Sequence, residues 1–562
     1  MKVFAYTVPF LLVLLTLALA PAAQAAWLDP TLSDQIDAAD AEEYVNIYVV
    51  LKEQADLQTA LAEAELAGGD RAQRHFEVIS RLHETADLTQ GPILEMLQIH
   101  RANGLVKEFK AFWIANAFAI QAKPGFVLLI AEHPAVASVY NDYEIALVDP
   151  TEIHADTPRA VAAVESGITS SRAPELWALG IDGSGALACD QDTGADGSHA
   201  AFAGRWRGLD AGVPAGEAWF DPLDNETFPS ESCPSWWSCN EHGTHTLGTM
   251  VGDDGSGNQV GMAPGAKWIG AKTIDTGGNI FSDAVAAFQW MVDPDGNPAT
   301  VEDVPDVCNN SWGLTQSYYG SCRGDFNTAI DAAEAAGVVV VFSAGNSGPG
   351  SQTIGSPANR VASSWTVFSV GALEQNNATI ASFSSRGPSD CDGYSIKPEI
   401  SAVGVDVRSA KPGGGYQYMS GTSMSAPHVS GGVLLLRQAF PDATPDEIKM
   451  ALYYGAYDLG TAGDDNTYGN GRLDMVESYE FLVDYFGGGD DDDDDDNDNN
   501  DDNDNNDDND DNDDNDDNDD NDDNDDNDDN DDNDDNDTAG DDDDDDDSGC
   551  GMTAGDVVKY IF

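Results

Sequence analysis

Three short polar motifs stand in order along the chain, and together they carry the groups needed for acyl transfer. Asp192 ends a predicted strand and precedes Thr-Gly, His242 opens a stretch of small residues, and Ser423 stands at the start of a predicted helix. A serine hydroxyl is a weak nucleophile until an imidazole removes its proton, and a carboxylate fixes the tautomer of that imidazole and stabilises its cation. Each motif alone is common, but all three in this order predict a nucleophilic serine centre.

Neighbouring residues offer alternatives for two of these roles. Asp190, two residues before Asp192, competes with it for the role of the orienting carboxylate. His245 and His428 lie within the same motifs as His242 and Ser423. We interpret both as packed or hydrogen-bonded neighbours rather than as bases.

The motifs lie in a region, from about residue 173 to 485, where predicted strands alternate with predicted helices. The run Val338–Phe342 is apolar without alternation, which is typical of a parallel strand buried on both faces. A helical pattern over Phe326–Ala333 precedes it, and Ser282 is a predicted cap of another helix. This alternation predicts an α/β sandwich.

The three motifs and four further segments resemble the subtilisin-like serine protease family over roughly residues 173–480. The further segments are Gly261–Trp268, Asn309–Gly313, Ser343–Asn346 and Lys397–Ala402. The resemblance implies a three-layer sandwich with a mostly parallel sheet. It also implies that Asp192 orients the base, His242 acts as general base and acid, Ser423 is the nucleophile, and Asn346 donates to the oxyanion.

The same resemblance implies a substrate cleft that holds a protein or peptide through its main chain. The residues assigned to the cleft are Ser311, Trp312, Gly313, Ser343, Ala344, Gly345 and Gly355. Gly355 matches the base of the family's specificity pocket, so a bulky apolar residue is expected before the scissile bond. No cofactor is required for this chemistry. A structural calcium ion is allowed, at a site that the sequence does not identify.

Upstream of this region the chain divides into three parts. Residues 1–25 carry a short apolar run and end in Ala23-Gln24-Ala25, as in a secretory signal peptide, with a membrane anchor as the less favoured alternative. Residues 43–148 form a small α+β pattern, and 149–171 form a polar linker. The resemblance implies that 43–148 is a propeptide that inhibits the protease and is removed by the protease itself. The catalytic part then spans 172–485.

Charge sets the last segment apart. The chain has 102 Asp+Glu against 25 Lys+Arg and a formal net charge of −77, and 39 aspartates lie between Asp490 and Asp547. Residues 486–562 therefore have the pattern of a disordered acidic spacer, with loose calcium binding as the alternative. So anionic a chain disfavours nucleic acid and anionic lipid as partners. We expect a secreted or cell-surface protein without stable membrane insertion.

The seven cysteines fit an exported protein but leave their pairing open. Cys233 and Cys239 are one candidate disulfide, and Cys308 and Cys322 are a weaker one. A zinc site is disfavoured, because neither pair has the spacing of zinc ligands. The main functional alternative is an inactive protein of the same fold whose acidic tail binds cations.

Overall fold

The computed structural model describes residues 26–155, 164–232, 241–255, 257, 259–275, 281–314, 322–324, 326–362 and 367–487. The predicted signal peptide and the acidic repeat lie outside these ranges. One compact unit extends to Val483, and of the second unit, from Asp484, the described part ends at Gly487. Within the described ranges, no helix combines the length and apolar character needed to cross a membrane.

Short strands alternate with helices along most of the chain. The strands are β1 Trp27–Leu28, β2 Val45–Leu51, β3 Val106–Phe112, β4 Ala117–Ala122, β5 Val136–Asn141, β6 Ala146–Leu147, β7 Glu152–Ala155, β8 Leu187–Asp192, β9 Trp219–Phe220, β10 Lys267–Lys272, β11 Val307–Asn310, β12 Trp312–Gly313, β13 Val339–Ser343, β14 Phe368–Leu373, β15 Ile400–Val403, β16 Val407–Ala410 and β17 Tyr416–Ser420. The helices are α1 Pro30–Ala38, α2 Leu57–Ala67, α3 Arg71–Thr89, α4 Gly91–Ala102, α5 Pro124–Ala131, α6 Ser166–Ser170, α7 Ala173–Ala178, α8 His242–Val251, α9 Phe281–Met291, α10 Asn327–Ala335, α11 Thr422–Ala439, α12 Pro445–Tyr454 and α13 Met475–Gly487.

The N-terminal part is a five-stranded sheet with the order β1-β5-β2-β4-β3 and with helices packed against it. Its central strand β2 alternates poorly because both faces are covered, and Ile47, Tyr48 and Val49 are all fully buried. Strand β1 and helix α1 also belong to this part, so it begins upstream of the predicted boundary at residue 43.

The central part is built on a seven-stranded sheet with the order β15-β14-β13-β11-β8-β10-β9, in which every neighbouring pair is parallel. Strand β13 is fully buried and rich in valine, as its unalternating pattern predicts. Helices α8, α9 and α11 contact β8, while α10 contacts β13. Helices α9 and α10 also contact the N-terminal part, through β3 and through α2 and α3 respectively. The predicted three-layer α/β sandwich is confirmed.

Parallel topology gathers the sequence motifs at one edge of this sheet. The carboxyl ends of β8, β11 and β13 lead directly into Thr193, Ser311 and Ala344. Helix α8 packs closely on β16 because Gly248 has no side chain: a Cβ there would lie 2.5 Å from Ser409 Oγ. Ligand sites in open α/β sheets lie at this carboxyl edge, so the fold itself points to the site.

The cysteine pairing differs from the sequence prediction. Cys322 is bonded to Cys391, whereas Cys308 is a free, buried thiol. The predicted Cys308–Cys322 pair is wrong because Cys308 lies inside the sheet, where β11 places it beside Cys189 of β8. Cys233, Cys239 and Cys550 lie outside the described residues.

Candidate active site

Asp192 and His242 are in direct contact at the carboxyl edge of the sheet. Asp192 ends β8 and His242 is the first residue of α8; His242 Nδ1 lies 2.7 Å from Asp192 Oδ1, and both side chains are fully buried. The backbone N–H of Thr193 also donates to Asp192 Oδ1, at 2.7 Å. An acceptor at Nδ1 favours the tautomer with the proton there, which leaves Nε2 as the basic nitrogen. Nε2 is buried and has no hydrogen-bond partner among the described residues.

Ser423 stands in the first turn of α11, and its hydroxyl faces the segment that joins the two parts of the chain. Ser423 Oγ donates to the carbonyl oxygen of Val148 at 2.8 Å. The backbone N–H of Val148 in turn donates to the carbonyl oxygen of Ser311 at 3.1 Å. A main-chain carbonyl of the chain itself therefore lies against this hydroxyl, and Ser423 is fully buried.

Asn346 follows β13 and lies beside the start of α11. Its Oδ1 accepts hydrogen bonds from Thr422 N and Thr422 Oγ1, each at 2.9 Å. These two bonds fix the amide plane, so Nδ2 is directed to the linker, where it donates to the carbonyl oxygen of Asp149 at 2.8 Å. The predicted oxyanion donor thus contacts the carbonyl one residue beyond the one that Ser423 faces.

The first predicted cleft segment, Ser311 to Gly313, pairs as a strand with residues 146–147, which lie just before the predicted linker. Strands β12 and β6 pair antiparallel, with Trp312 opposite Leu147 and Gly313 opposite Ala146. The ring of Trp312 is buried against Phe326 and Phe342, so this residue offers the cleft its main chain. Such pairing uses main-chain hydrogen bonds, the kind of contact that can hold an extended peptide whatever its side chains.

The other predicted cleft residues line a cavity of about 430 Å³ beside the linker. The residues of the central part that line it are Trp312, Gly313, Leu314, Ser343, Ala344, Gly345, Asn346, Ser347, Thr353, Gly355, Ser356 and Ala358. None of these side chains is charged. Gly355 is needed for the close approach of two walls, since a Cβ there would lie 2.9 Å from the carbonyl oxygen of Leu314.

The alternative residues in the motifs have other partners. Asp190 accepts hydrogen bonds from Thr246 Oγ1 at 2.7 Å and from Asn309 Nδ2 at 3.0 Å; burial, together with the charge of Asp192, raises the pKa of its carboxyl well above the usual range. Burial lowers the pKa of His245 to about 3 and that of His428 to about 4. Each of these imidazoles contacts a backbone carbonyl and stays neutral at neutral pH.

Among the side chains of the described residues, carboxylates and imidazoles are groups that could contribute to a structural metal site. One group there brings three potential ligand atoms within 4.8 Å of one another, and its members are Glu152, His154 and Asp406. Calcium prefers oxygen ligands, and an imidazole in the set does not fit that preference. Calcium binding by residues 490–547 falls outside the described ranges.

Sequence reasoning overlooked two residues that contact the site. Thr422 fixes Asn346, and its position directly before Ser423 was the available signal. Glu231 accepts hydrogen bonds from Thr244 N at 2.8 Å and Thr244 Oγ1 at 2.5 Å, and its other oxygen contacts Thr193 Oγ1. No motif in the local sequence around Glu231 indicates these contacts.

Comparison with known proteins agrees with the fold and the motifs. The family model described as "Subtilase family" matches residues 183–471. Bacillopeptidase F of Bacillus subtilis (strain 168) is 34% identical over 440 residues, which span 74% of this chain but only 29% of that protein. Serine protease AprX of the same strain is 31% identical over 422 residues, spanning 70% of this chain and 85% of that protein.

A solved structure extends the likeness to the fold. Fervidolysin from Fervidobacterium pennivorans, described as a keratinolytic enzyme related to subtilisin, matches with a TM-score of 0.55 and 22% identity, over 82% of this chain and 63% of that one. The family model covers more than half of the sequence, and the match to AprX covers most of that relative. The chain therefore belongs to the Subtilase family.

Proposed function

We propose that this chain is the precursor of a secreted serine endopeptidase, in which Asp192, His242 and Ser423 hydrolyse peptide bonds through an acyl-enzyme. One observation carries the proposal: a peptide of the chain itself lies in the cleft, with the carbonyl oxygen of Val148 2.8 Å from Ser423 Oγ. The buried Asp192–His242 pair stands at the same edge of the sheet.

Chemically, the Oγ of Ser423 attacks the substrate carbonyl carbon while His242 Nε2 takes the hydroxyl proton. Asp192 holds the other ring nitrogen and stabilises the imidazolium that forms. His242 then gives the proton to the departing amine, which leaves the acyl group on Ser423. A water molecule repeats the sequence in the second half and releases the acid product.

Oxyanion stabilisation falls to Asn346, since its Nδ2 is directed into the cleft by two bonds from Thr422. In the precursor, Asn346 Nδ2 donates to the carbonyl oxygen of Asp149. For attack at Val148, the amide must instead donate to the carbonyl oxygen of Val148. The backbone register supports a cut between Val148 and Asp149. Ala146 and Leu147 pair with β12, and the N–H of Val148 donates to the carbonyl oxygen of Ser311.

We further propose that the N-terminal part is an intramolecular inhibitor, and its contacts with the central part support this. Arg71 of α3 forms a salt bridge to Asp306 at 3.0 Å, and Asp306 is itself buried. The ring of Tyr48 packs edge-on against Phe281, with centroids 4.6 Å apart. The linker covers Ser423 as long as the chain is uncut, so added substrate competes with a tethered segment at high effective concentration.

Export and the role of the acidic tail are proposals from the sequence alone. Residues 1–25 supply the signal peptide, and we propose that 486–562 act as a solvated spacer. The nearest test of the whole proposal is covalent labelling. Protein recovered from the culture medium should react stoichiometrically with a fluorophosphonate at Ser423 and lose its peptide hydrolysis in proportion. Hydrolysis that persists in the fully labelled protein would overturn the proposal.

Substrate preference follows from the part of the cavity around Gly355 that the central part lines, which carries no charged side chain. We expect Gly355→Val to lower kcat/KM about tenfold for a peptide with Phe before the scissile bond, and less than about threefold for Ala. The new side chain meets the carbonyl of Leu314, so the wall must shift. Steady-state kinetics on the two peptides measure this. Gly204→Val is a matched control because a Cβ there meets nothing within 4 Å, and equal losses on both peptides would contradict the prediction.

Asp142 makes the docking of the N-terminal part sensitive to pH. Its carboxylate oxygens accept hydrogen bonds from Ser282 N at 2.9 Å and Ser282 Oγ at 2.7 Å, in the first turn of α9. Burial is the largest influence and raises the pKa of Asp142 to about 7, although the bonds from Ser282 oppose the rise. An exposed aspartate has a pKa of about 3.9. The folded precursor therefore holds this proton more tightly, and its stability falls as pH rises through that interval.

We accordingly expect the uncut Ser423→Ala precursor to melt at a lower temperature at about pH 8 than at about pH 5. Adding Asp142→Asn should remove part of that difference, since the amide cannot ionise and still accepts the N–H of Ser282. Thermal unfolding at both pH values measures the effect. Asp37→Asn, at an exposed position of the same part, is the control. An unchanged pH dependence in the Asp142→Asn precursor would show that the carboxyl is not involved.

A further inference from the structure

Glu231 is a buried carboxyl group that the proposed reaction does not use. It lies between the turn after β8 and the first turn of α8, the two segments that carry Asp192 and His242. The cost of burying a carboxyl group is offset only when its oxygens are hydrogen-bonded, so the contacts of this side chain indicate what it does.

Three backbone segments meet at Glu231 with no room for extra atoms. Glu231 bridges Gly194, and Ser232 N donates to the carbonyl oxygen of Thr193 at 2.9 Å. A Cβ on Gly194 would lie 2.1 Å from the carbonyl oxygen of Ser230, and a Cβ on Gly243 would lie 2.0 Å from that of Gly194. The two catalytic segments thus pack directly on each other and on the segment that contains Glu231.

The carboxyl group joins the two catalytic segments through its two oxygens. Oε1 contacts the hydroxyl of Thr193, which also accepts the N–H of Gly243 at 2.9 Å. Oε2 accepts the N–H of Thr244 at 2.8 Å and its hydroxyl at 2.5 Å. Thr193 in turn donates its N–H to Asp192, and Thr244 is two residues from His242. The side chain therefore fixes both partners of the Asp192–His242 bond from one side.

Charge around this carboxyl is mostly negative. Asp190 and Asp192 face it from β8, and His242 and His245 belong to α8. Burial, chiefly, raises the pKa of Glu231 to about 7, while the hydrogen bonds from Thr193 and Thr244 oppose the rise. The neutral acid is thus populated near neutral pH, and glutamine is its close isostere.

We propose that Glu231 is a positioning residue of the active site, whose carboxyl group holds the turn after Asp192 and the first turn of α8 at the separation that the Asp192–His242 hydrogen bond requires. The inference rests on the proposed function of these two residues. Glu231 touches neither substrate nor reacting atoms, so it acts through geometry. The expected signature is a change in kcat with little change in KM, because the peptide binds on the separate segments 311–313 and 343–346.

Two variants test the proposal. Glu231→Ala removes all three contacts and should lower kcat, counted per fluorophosphonate-reactive site, by about 10- to 100-fold with KM within about twofold, since a small misplacement of catalytic groups has effects of this size. Glu231→Gln keeps the shape and an acceptor for Thr244 N–H, so it should restore kcat to within about threefold of the parent. Counting reactive sites removes the contribution of misfolded protein.

Glu334→Gln is a matched control. Glu334 is a half-buried carboxyl group whose pKa desolvation likewise raises to about 7, and it pairs with Lys449 at 2.9 Å, outside the active site. It should lower the melting temperature but leave kcat per reactive site unchanged. Should Glu231→Ala fail to fold, Thr244→Val removes the hydroxyl bond to Glu231 together with the bond that this hydroxyl accepts from Asp196 N, and it should lower kcat about three- to tenfold at constant KM.

The proposal is overturned if Glu231→Ala, or Thr244→Val in its place, keeps the parent kcat per reactive site, or if Glu231→Gln is no better than alanine. Failure of the proposed function itself would look different. In that case the parent protein would neither react with the fluorophosphonate nor hydrolyse peptides, whatever residue stands at position 231.

Discussion

Ser423→Ala is expected to leave the chain uncut between Val148 and Asp149 and to abolish peptide hydrolysis. The Oγ of Ser423 faces the carbonyl of Val148 at 2.8 Å, so the proposed cut needs the same nucleophile as any added substrate. In subtilisin, a relative of this chain, loss of the nucleophilic serine costs about 10⁶-fold in kcat. Intact-mass spectrometry of the protein from the culture medium should show the N-terminal part still attached. In the parent, residues up to 148 should be released.

Ser425→Ala is the matched control, because this serine lies two residues further along α11 and its hydroxyl donates to the carbonyl oxygen of Thr422 at 2.9 Å. That variant should be processed like the parent. Mixing the Ser423→Ala precursor with active parent then separates cutting within one chain from cutting between chains. If purified Ser423→Ala, free of other proteases, is cut at the same bond, self-processing is wrong.

The sequence predicted those parts of the site that depend on local pattern. The buried valines of β13 predicted a parallel strand, and the parallel sheet then brings the carboxyl ends of β8, β11 and β13 to one edge. Asp192 ends the first of these strands and Ser311 follows the second. Strand pattern predicted the sheet, whereas the choice of Asp192 and His242 as partners came from the family resemblance of their motifs.

Local sequence patterns did not predict the contacts between residues that lie far apart along the chain. The Cys322–Cys391 bond spans 69 residues, and no spacing rule selects it over Cys308–Cys322. Only the sheet register shows that Cys308 faces Cys189 within the core. A disulfide prediction that relies on short spacing fails when the nearer cysteine belongs to a buried strand.

Glu231 illustrates the same limit at the site. An isolated glutamate in the polar stretch before Cys233 has the pattern of a surface residue, since carboxylates are almost never fully buried without partners. Its partners, Thr193 and Thr244, come from two other segments and meet it only in the fold. The motifs around Asp192 and His242 were recognised, but the group that joins them was not.

Asn346→Leu is expected to lower kcat about 10²- to 10³-fold while KM stays within about threefold. The size is that found when the corresponding donor is removed in subtilisin, the relative in which it was measured. Leucine keeps the branching of asparagine at Cγ, but it neither donates to the oxyanion nor accepts from Thr422. Negative charge on the substrate oxygen develops only as the tetrahedral intermediate forms, so the lost bond raises the barrier more than it weakens substrate binding. Steady-state kinetics with a peptide substrate measure both constants.

Thr422→Val tests how far the activity depends on the hydrogen bonds that hold Asn346 in place. This change removes the hydroxyl bond to Oδ1 and the bond that the hydroxyl accepts from Gly345 N at 3.1 Å, but it keeps the backbone bond from Thr422 N, at 2.9 Å, so Nδ2 still faces the cleft. We expect a loss in kcat of about tenfold, the size expected for the loss of neutral hydrogen bonds next to the site. Cutting of the precursor should slow in parallel with kcat in both variants, because the bond after Val148 passes through the same intermediate. An Asn346→Leu enzyme with a kcat within about threefold of the parent would mean that other donors stabilise the oxyanion.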